Sequence, residues 1–263
     1  MRQAASRPGL SIENSPQHYA RIGGLIYLAI ILLGLYGELF VRGALVVDGD
    51  PAATVGHIAA APFLWRSGIV ADLMMQVLDV PLIVILYLLL RPVSVSLALT
   101  STLLNLVQTS VLALNKLSLL LPLFLLQDAG YLRAFQPEQL QVLSYLAIKL
   151  HGHGFALGLL FFGFTCLIQG YLMFVSGYFP KWVGLMMQIA GLSYLANTLT
   201  LILAPAWAGA VFPALLVPAF IGELSVCLWL IAKGVNLPQW EQRLGGSYNV
   251  KAEAPGIQGG SLQ

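Results

Sequence analysis

The chain has 263 residues, 58% of them hydrophobic and only 9% charged, with a formal charge of +2 and a mean hydropathy of +0.83. A water-soluble domain carries about a quarter charged residues, so this chain lacks the polar surface to be one. Without a basic cluster it is also no nucleic-acid binder. Composition thus predicts an all-α integral membrane bundle.

In chain order, residues 1–20 form a polar N-terminal segment without the apolar core and cleavage site of a signal peptide, so the first apolar run reads as a retained anchor. Six runs reach the roughly 20 residues that a helix needs to cross about 30 Å of hydrocarbon. They are 22–46, 67–90, 96–126, 147–175, 182–204 and 211–233, inside a transmembrane domain of 21–233. Between the first two, Asp50-Pro51 marks a short helix in the 48–66 loop, and Gln136-Pro137-Glu138 is a helix start in the 128–146 loop. Tight turns are expected at Arg91-Pro92 and at Gly177 to Lys181. From Gly234 the chain becomes polar and Gly-rich, and residues 234–263 read as a flexible cytoplasmic tail.

Basic residues in the loops set the orientation. Arg2, Arg7, Arg21, Arg91, Lys181, Lys233, Arg243 and Lys251 fall on one side, Arg42, Arg66, Arg133 and Lys149 on the other. That bias predicts both termini in the cytoplasm. Cys166 and Cys227 both lie in apolar runs, which argues against a disulfide framework or a cysteine zinc site.

The polar residues inside the apolar runs carry the functional information. Asp72, Gln76 and Asp79 recur at i, i+4 and i+7 and share one helix face. A charged carboxylate at mid-bilayer costs about 3 kcal/mol even on the gentler insertion scales, so such a group is expected to face a cavity or a partner. The third run offers a matching stripe of Thr102, Asn105, Gln108, Thr109, Asn115 and Lys116, and Lys116 is expected to pair with Asp72 or Asp79. The alternative is that these groups only lock helices together. Glu38 and Arg42 stand at i, i+4, a local ion pair, with Glu38 deep enough to join the central cluster.

Glu223 lies near the middle of the last run, and Gly222-Glu223-Leu224 echoes Gly37-Glu38-Leu39 of the first. Pro218 and Pro81, near Glu223 and Asp79, free the carbonyls of Ala214 and Val77, as in transporter helices that assemble ion sites. Asn197 adds an amide at similar depth. His151 and His153 are expected to act as an outer proton relay. Two residues apart on a helix they point to nearly opposite sides, and only an extended start at Gly152 and Gly154 would let them join His57 and Asp72 around zinc. Gly154 and Gly158 form a GxxxG pair, a close-packing signal. Phosphate loops, dinucleotide fingerprints, nucleophile elbows and His-Glu-x-x-His are absent from the sequence.

Several blocks, Ala20 to Leu25, Glu38 to Arg42, Leu90 to Val93, Gly177 to Pro180 and Gly222 to Ser225 with Trp229, resemble the bacterial multi-pass proteins of domain-of-unknown-function family four-three-eight-six. The resemblance runs from about Ala20 to Lys233. It implies a bacterial inner-membrane protein of about six helices and brings no established activity, so no catalytic residue is carried over.

The reading drawn is a membrane protein that binds or carries a small solute or ion with proton coupling. Its pocket is expected from Glu38, Asp72, Gln76, Asp79, Asn115, Lys116, Asn197 and Glu223, with Asp79 and Glu223 as the deep acids. One alternative is an intramembrane metal-dependent lipid hydrolase with zinc on His57, His151, His153 and Asp72. Another is a structural or sensory protein. Membrane lipid and an unidentified solute or ion are the expected partners, no cofactor is predicted outside the zinc alternative, and oligomeric state is left open.

Overall fold

Five helices open on a proline, where the missing N–H costs nothing because first-turn donors have no intrahelical acceptor. The computed structural model describes residues 15–252, all of its regular elements helical. Helix α1 runs Pro16–Leu35 and continues through a π-helical stretch, Tyr36–Arg42, into Gly43–Leu45. Helix α2 is the short Pro51–Ala60, its N-terminus held by the Asp50 carboxylate accepting from the Ala53 N–H at 2.9 Å. The long helices follow as α3 Pro62–Leu90, α4 Val95–Leu125, α5 Pro137–Ser176, α6 Lys181–Leu203 and α7 Pro205–Ala232, and the last helix is α8, Leu237–Ala252. Among the described residues six helices are long and apolar enough to cross a membrane: α1 and α3 to α7.

Two stretches differ from expectation. Helix α5 starts at the expected Gln136-Pro137-Glu138 signal, where Gln136 and Gln139 form a reciprocal capping box, but runs unbroken into the apolar run ten residues later, and the preceding loop holds only a 3₁₀ turn, Gly130–Ala134. The polar stretch after Gly234, expected to be flexible, folds as α8. Trp240 is 1% exposed, and Arg243 donates to the carbonyls of Val175 at 2.9 Å and Ser176 at 3.3 Å, satisfying the open C-terminal end of α5. Residues 1–14 of the expected N-terminal segment and 253–263 of the expected tail lie outside the described residues.

The six long helices pack in chain order into a ring, each against the next, with α7 returning to α1. Gln17 closes it at the terminal end, donating to the Lys233 carbonyl at 2.5 Å and accepting from the Val235 N–H at 3.0 Å. Large apolar side chains such as Leu25, Leu114, Leu117 and Val217 point outward, as a lipid-facing surface requires. Lipid is as apolar as leucine, so helix association rests on close approach rather than on hydrophobic drive. Gly163 and Gly170 on α5 face Gly191 and Gly184 on α6, and a Cβ at any of the four would come within 3.0 Å of the other helix's backbone. Gly154 and Gly158, the GxxxG pair, take the side chains of Asn115 and Leu112 from α4 in the same way. Pro81 sits inside α3 and Pro218 inside α7, and both helices remain continuous around them.

Candidate functional site

Near the loop end of the bundle, Asp72 on α3 is 1% exposed and meets two cations. Arg42 from α1 donates through Nη1 to Asp72 Oδ2 at 2.7 Å, and Lys116 Nζ from α4 lies 3.0 Å from the same oxygen. Arg42 Nε also bonds Glu38 Oε2 at 2.7 Å. Gly37 makes the approach of α1 possible, since a Cβ there would sit 2.5 Å from Asp72 Oδ1. Two acids and two bases thus neutralise one another, the condition under which buried charge is tolerated. Lys116 Nζ is also 3.0 Å from His151 Nε2 on α5, and Asn115 Nδ2 donates to the His151 carbonyl at 2.8 Å. An ammonium has only donors, so Nε2 accepts and the ring proton belongs on Nδ1.

Deeper in the ring the partners change character. Thr109 on α4 donates its hydroxyl to Asp79, and Gln108 Oε1 lies 3.3 Å from the same hydroxyl. Across the interior, Glu223 on α7 accepts from Tyr27 on α1 at 3.1 Å and from Tyr194 on α6. Cys166 on α5 is fully buried. Among the described residues no basic side chain reaches either acid.

The register between α3 and α4 links the two layers. The contacts Asp72–Lys116 and Asp79–Thr109 are seven residues apart on each helix, about 10 Å at 1.5 Å rise. Gln76 falls between the two acids, 5% exposed, and its Nε2 has no partner among the described residues. Asn105, one turn beyond Thr109 and 2% exposed, has an unpartnered Oδ1.

The structure brings part of the expected set of side chains together. Asp72, Lys116, Asn115 and His151 form the outer layer, Asp79 and Glu223 the deep one, with Gln76 between. Asn197 is buried on α6, one turn past Tyr194. Glu38 departs from expectation: its side chain is 64% exposed and touches Asp72 only through Arg42. His153 is exposed with Nδ1 3.0 Å from the Lys149 carbonyl, on the side of α5 away from His151. The zinc quartet does not assemble. His57 is exposed on α2, α5 stays helical through Gly152 and Gly154, and among the described residues no group of three or more His, Cys, Asp or Glu could hold a metal ion.

Sequence reasoning undervalued Arg42 and missed Tyr27 and Tyr194. Tyrosines far from either helix end were the available signal, because a buried phenol needs a hydrogen-bond partner.

A family model described as Domain of unknown function (DUF4386) matches residues 22–234. The chain belongs to this family. The match covers all six membrane-length helices of this DUF4386 chain except the first turns of α1. An uncharacterised protein of Archaeoglobus fulgidus is 28% identical over 173 residues, which cover 65% of this chain and 86% of the relative. No solved structure matches this DUF4386 chain.

Proposed function

We propose that this multi-pass membrane protein binds or carries a small solute or ion in the interior of its helical ring, with Asp79 and Glu223 exchanging protons as it does so. In this reading it sits in a bacterial inner membrane with both termini in the cytoplasm, and the loop end opens outward. The observation that carries the proposal is the different company of the acids. Asp72 is compensated by two cations, whereas Asp79 and Glu223 are held by hydroxyls alone. Intramembrane acids without a fixed counter-charge are the kind that proton relays use. Gln76 supports a hydrated connection between the layers, since its orphan donor calls for an acceptor that a water can supply.

The test is proton movement in proteoliposomes loaded with a pH-sensitive dye and challenged with amino acids, sugars and monovalent or divalent salts under an imposed pH gradient. A solute that drives proton flux in the wild type and fails to do so in Asp79→Asn and Glu223→Gln is the expected result. Flux unchanged in both variants removes the deep acids from the mechanism.

A further inference from the structure

The α4 face opposite Asp79 presents oxygen atoms in an unusual concentration for a membrane interior. Asn105, Gln108 and Thr109 recur at i, i+3 and i+4, so they share a face, and they are 2%, 7% and 6% exposed. The Thr109 bond to Asp79 turns that face toward the α3 carboxyl. Asn105 Oδ1 is a buried acceptor without a donor among the described residues, which folded proteins rarely leave unmet. A proton on Asp79 would not satisfy it. A hydrogen-bond donor or a cation must.

We infer that the side-chain oxygens of Asp79, Thr109, Gln108 and Asn105 form a binding site for a dehydrated monovalent metal cation, with sodium as the test ion. The inference rests on the reading of the deep acids as a ligand site and names one ligand of it. The donor set decides the charge. One carboxylate with a hydroxyl and two amide carbonyls balances a single positive charge, whereas divalent ions of the calcium kind usually recruit several carboxylates. The donor type decides the hardness: every candidate ligand is oxygen, which suits alkali and alkaline-earth ions and not the soft metals of thiolate or imidazole sites. An anion is excluded because two acids and no base reach this layer among the described residues. Glu223 stays outside the set, its carboxylate occupied by the hydroxyls of Tyr27 and Tyr194, and keeps the proton-exchanging role.

The experiment uses the full chain in lipid nanodiscs, following the thermal midpoint and the binding of radioactive sodium. Sodium chloride is compared with choline chloride at constant ionic strength. Sodium is expected to raise the midpoint saturably and to bind one ion per chain, and choline to do neither. Asn105→Leu is expected to weaken sodium binding by about tenfold or more, the cost of one lost polar contact to a charged group. Thr109→Val serves as the second variant should Asn105→Leu misfold, and Glu223→Gln is expected to keep sodium binding. Equal effects of sodium and choline, or Asn105→Leu and Thr109→Val that bind sodium like the wild type, overturn the inference and leave water as the occupant. Proton flux that persists with no sodium dependence refutes the cation site while the deep-acid reading stands. Loss of both sinks that reading as well.

Discussion

Asp72 and Asp79 are seven residues apart on the same face of α3, yet they are held in opposite ways. Asp72 is fixed by Arg42 and Lys116 from two other helices, so its charge is part of the architecture. Asp79 has a threonine hydroxyl, and Glu223, across the ring, has two phenols. A fixed, compensated charge ties helices together, and an acid with neutral partners can change its protonation without stranding a counter-ion. The outer layer is therefore a structural lock, and the proposed function assigns proton exchange to the deep layer.

The largest expected effect falls on the lock. Removing one partner of a buried charge pair typically costs about 3–5 kcal/mol. Asp72→Leu, which leaves Lys116 beside the uncharged His151, is expected to lower the thermal midpoint in nanodiscs severely. The double variant Asp72→Leu/Lys116→Leu is expected to be less damaged than the sum of its singles, because it removes both charges. Additive losses would mean that the two do not form a pair. In the deep layer the effects on stability are smaller. Tyr194→Phe and Tyr27→Phe each delete one donor to Glu223, about 1–3 kcal/mol for a bond to a group that can be charged, and the infrared carboxyl band of Glu223 is expected to shift in both. An unchanged band would show that the phenols do not hold Glu223.

The smallest effect belongs to a surface pair at the loop end. Lys149 Nζ lies 2.6 Å from Asp48 Oδ1, and the hydrogen bond and charge of that ammonium hold the Asp48 carboxyl below its ordinary 3.8. A lowered folded-state value adds stability that is complete above the unfolded value and is lost as the pH falls through the folded one. With Asp48 89% exposed, Lys149→Ala is expected to change stability by less than about 1 kcal/mol at neutral pH and by nothing measurable once the pH has fallen below the lowered folded-state value. A larger loss at neutral pH would give this pair a share in the lock.

Hydropathy and loop chemistry were enough to read the six long helices and the turns at Arg91-Pro92 and Gly177, because a lipid-spanning segment leaves a run that nothing else in the sequence imitates. The start of α5 at Gln136-Pro137-Glu138 was legible, but its continuity with the fourth apolar run was not, because its first ten residues mix Glu138, Gln139 and Gln141 with leucines. Helix α8 was hidden by its glycines and charges, which conceal the two anchors, Trp240 and Arg243, that dock it. Periodicity narrowed the partner of Lys116 to Asp72 or Asp79, and the register of α3 against α4 decides for Asp72. The place of Arg42 was not legible, since counting at 3.6 residues per turn cannot foresee the π-helical stretch Tyr36–Arg42 that carries it over Asp72. The phenols around Glu223 were passed over because a tyrosine in an apolar run counts as hydrophobic until its hydroxyl is located.

The four glycines between α5 and α6 limit how the protein can move. Backbones in van der Waals contact along two turns or more cannot slide past one another without collision, so this helix pair behaves as one plank. On the far side, Gly24 brings α1 against the Ile231 backbone of α7, whereas the glycines of the α1–α3 seam, Gly23 and Gly37, face the side chains of Ile85 and Asp72, which can yield by rotamer changes. Under the proposed function, an opening of the interior is expected along the α1–α3 seam against a stiff α5–α6 wall, with Glu223 tied to α1 by Tyr27 and to α6 by Tyr194.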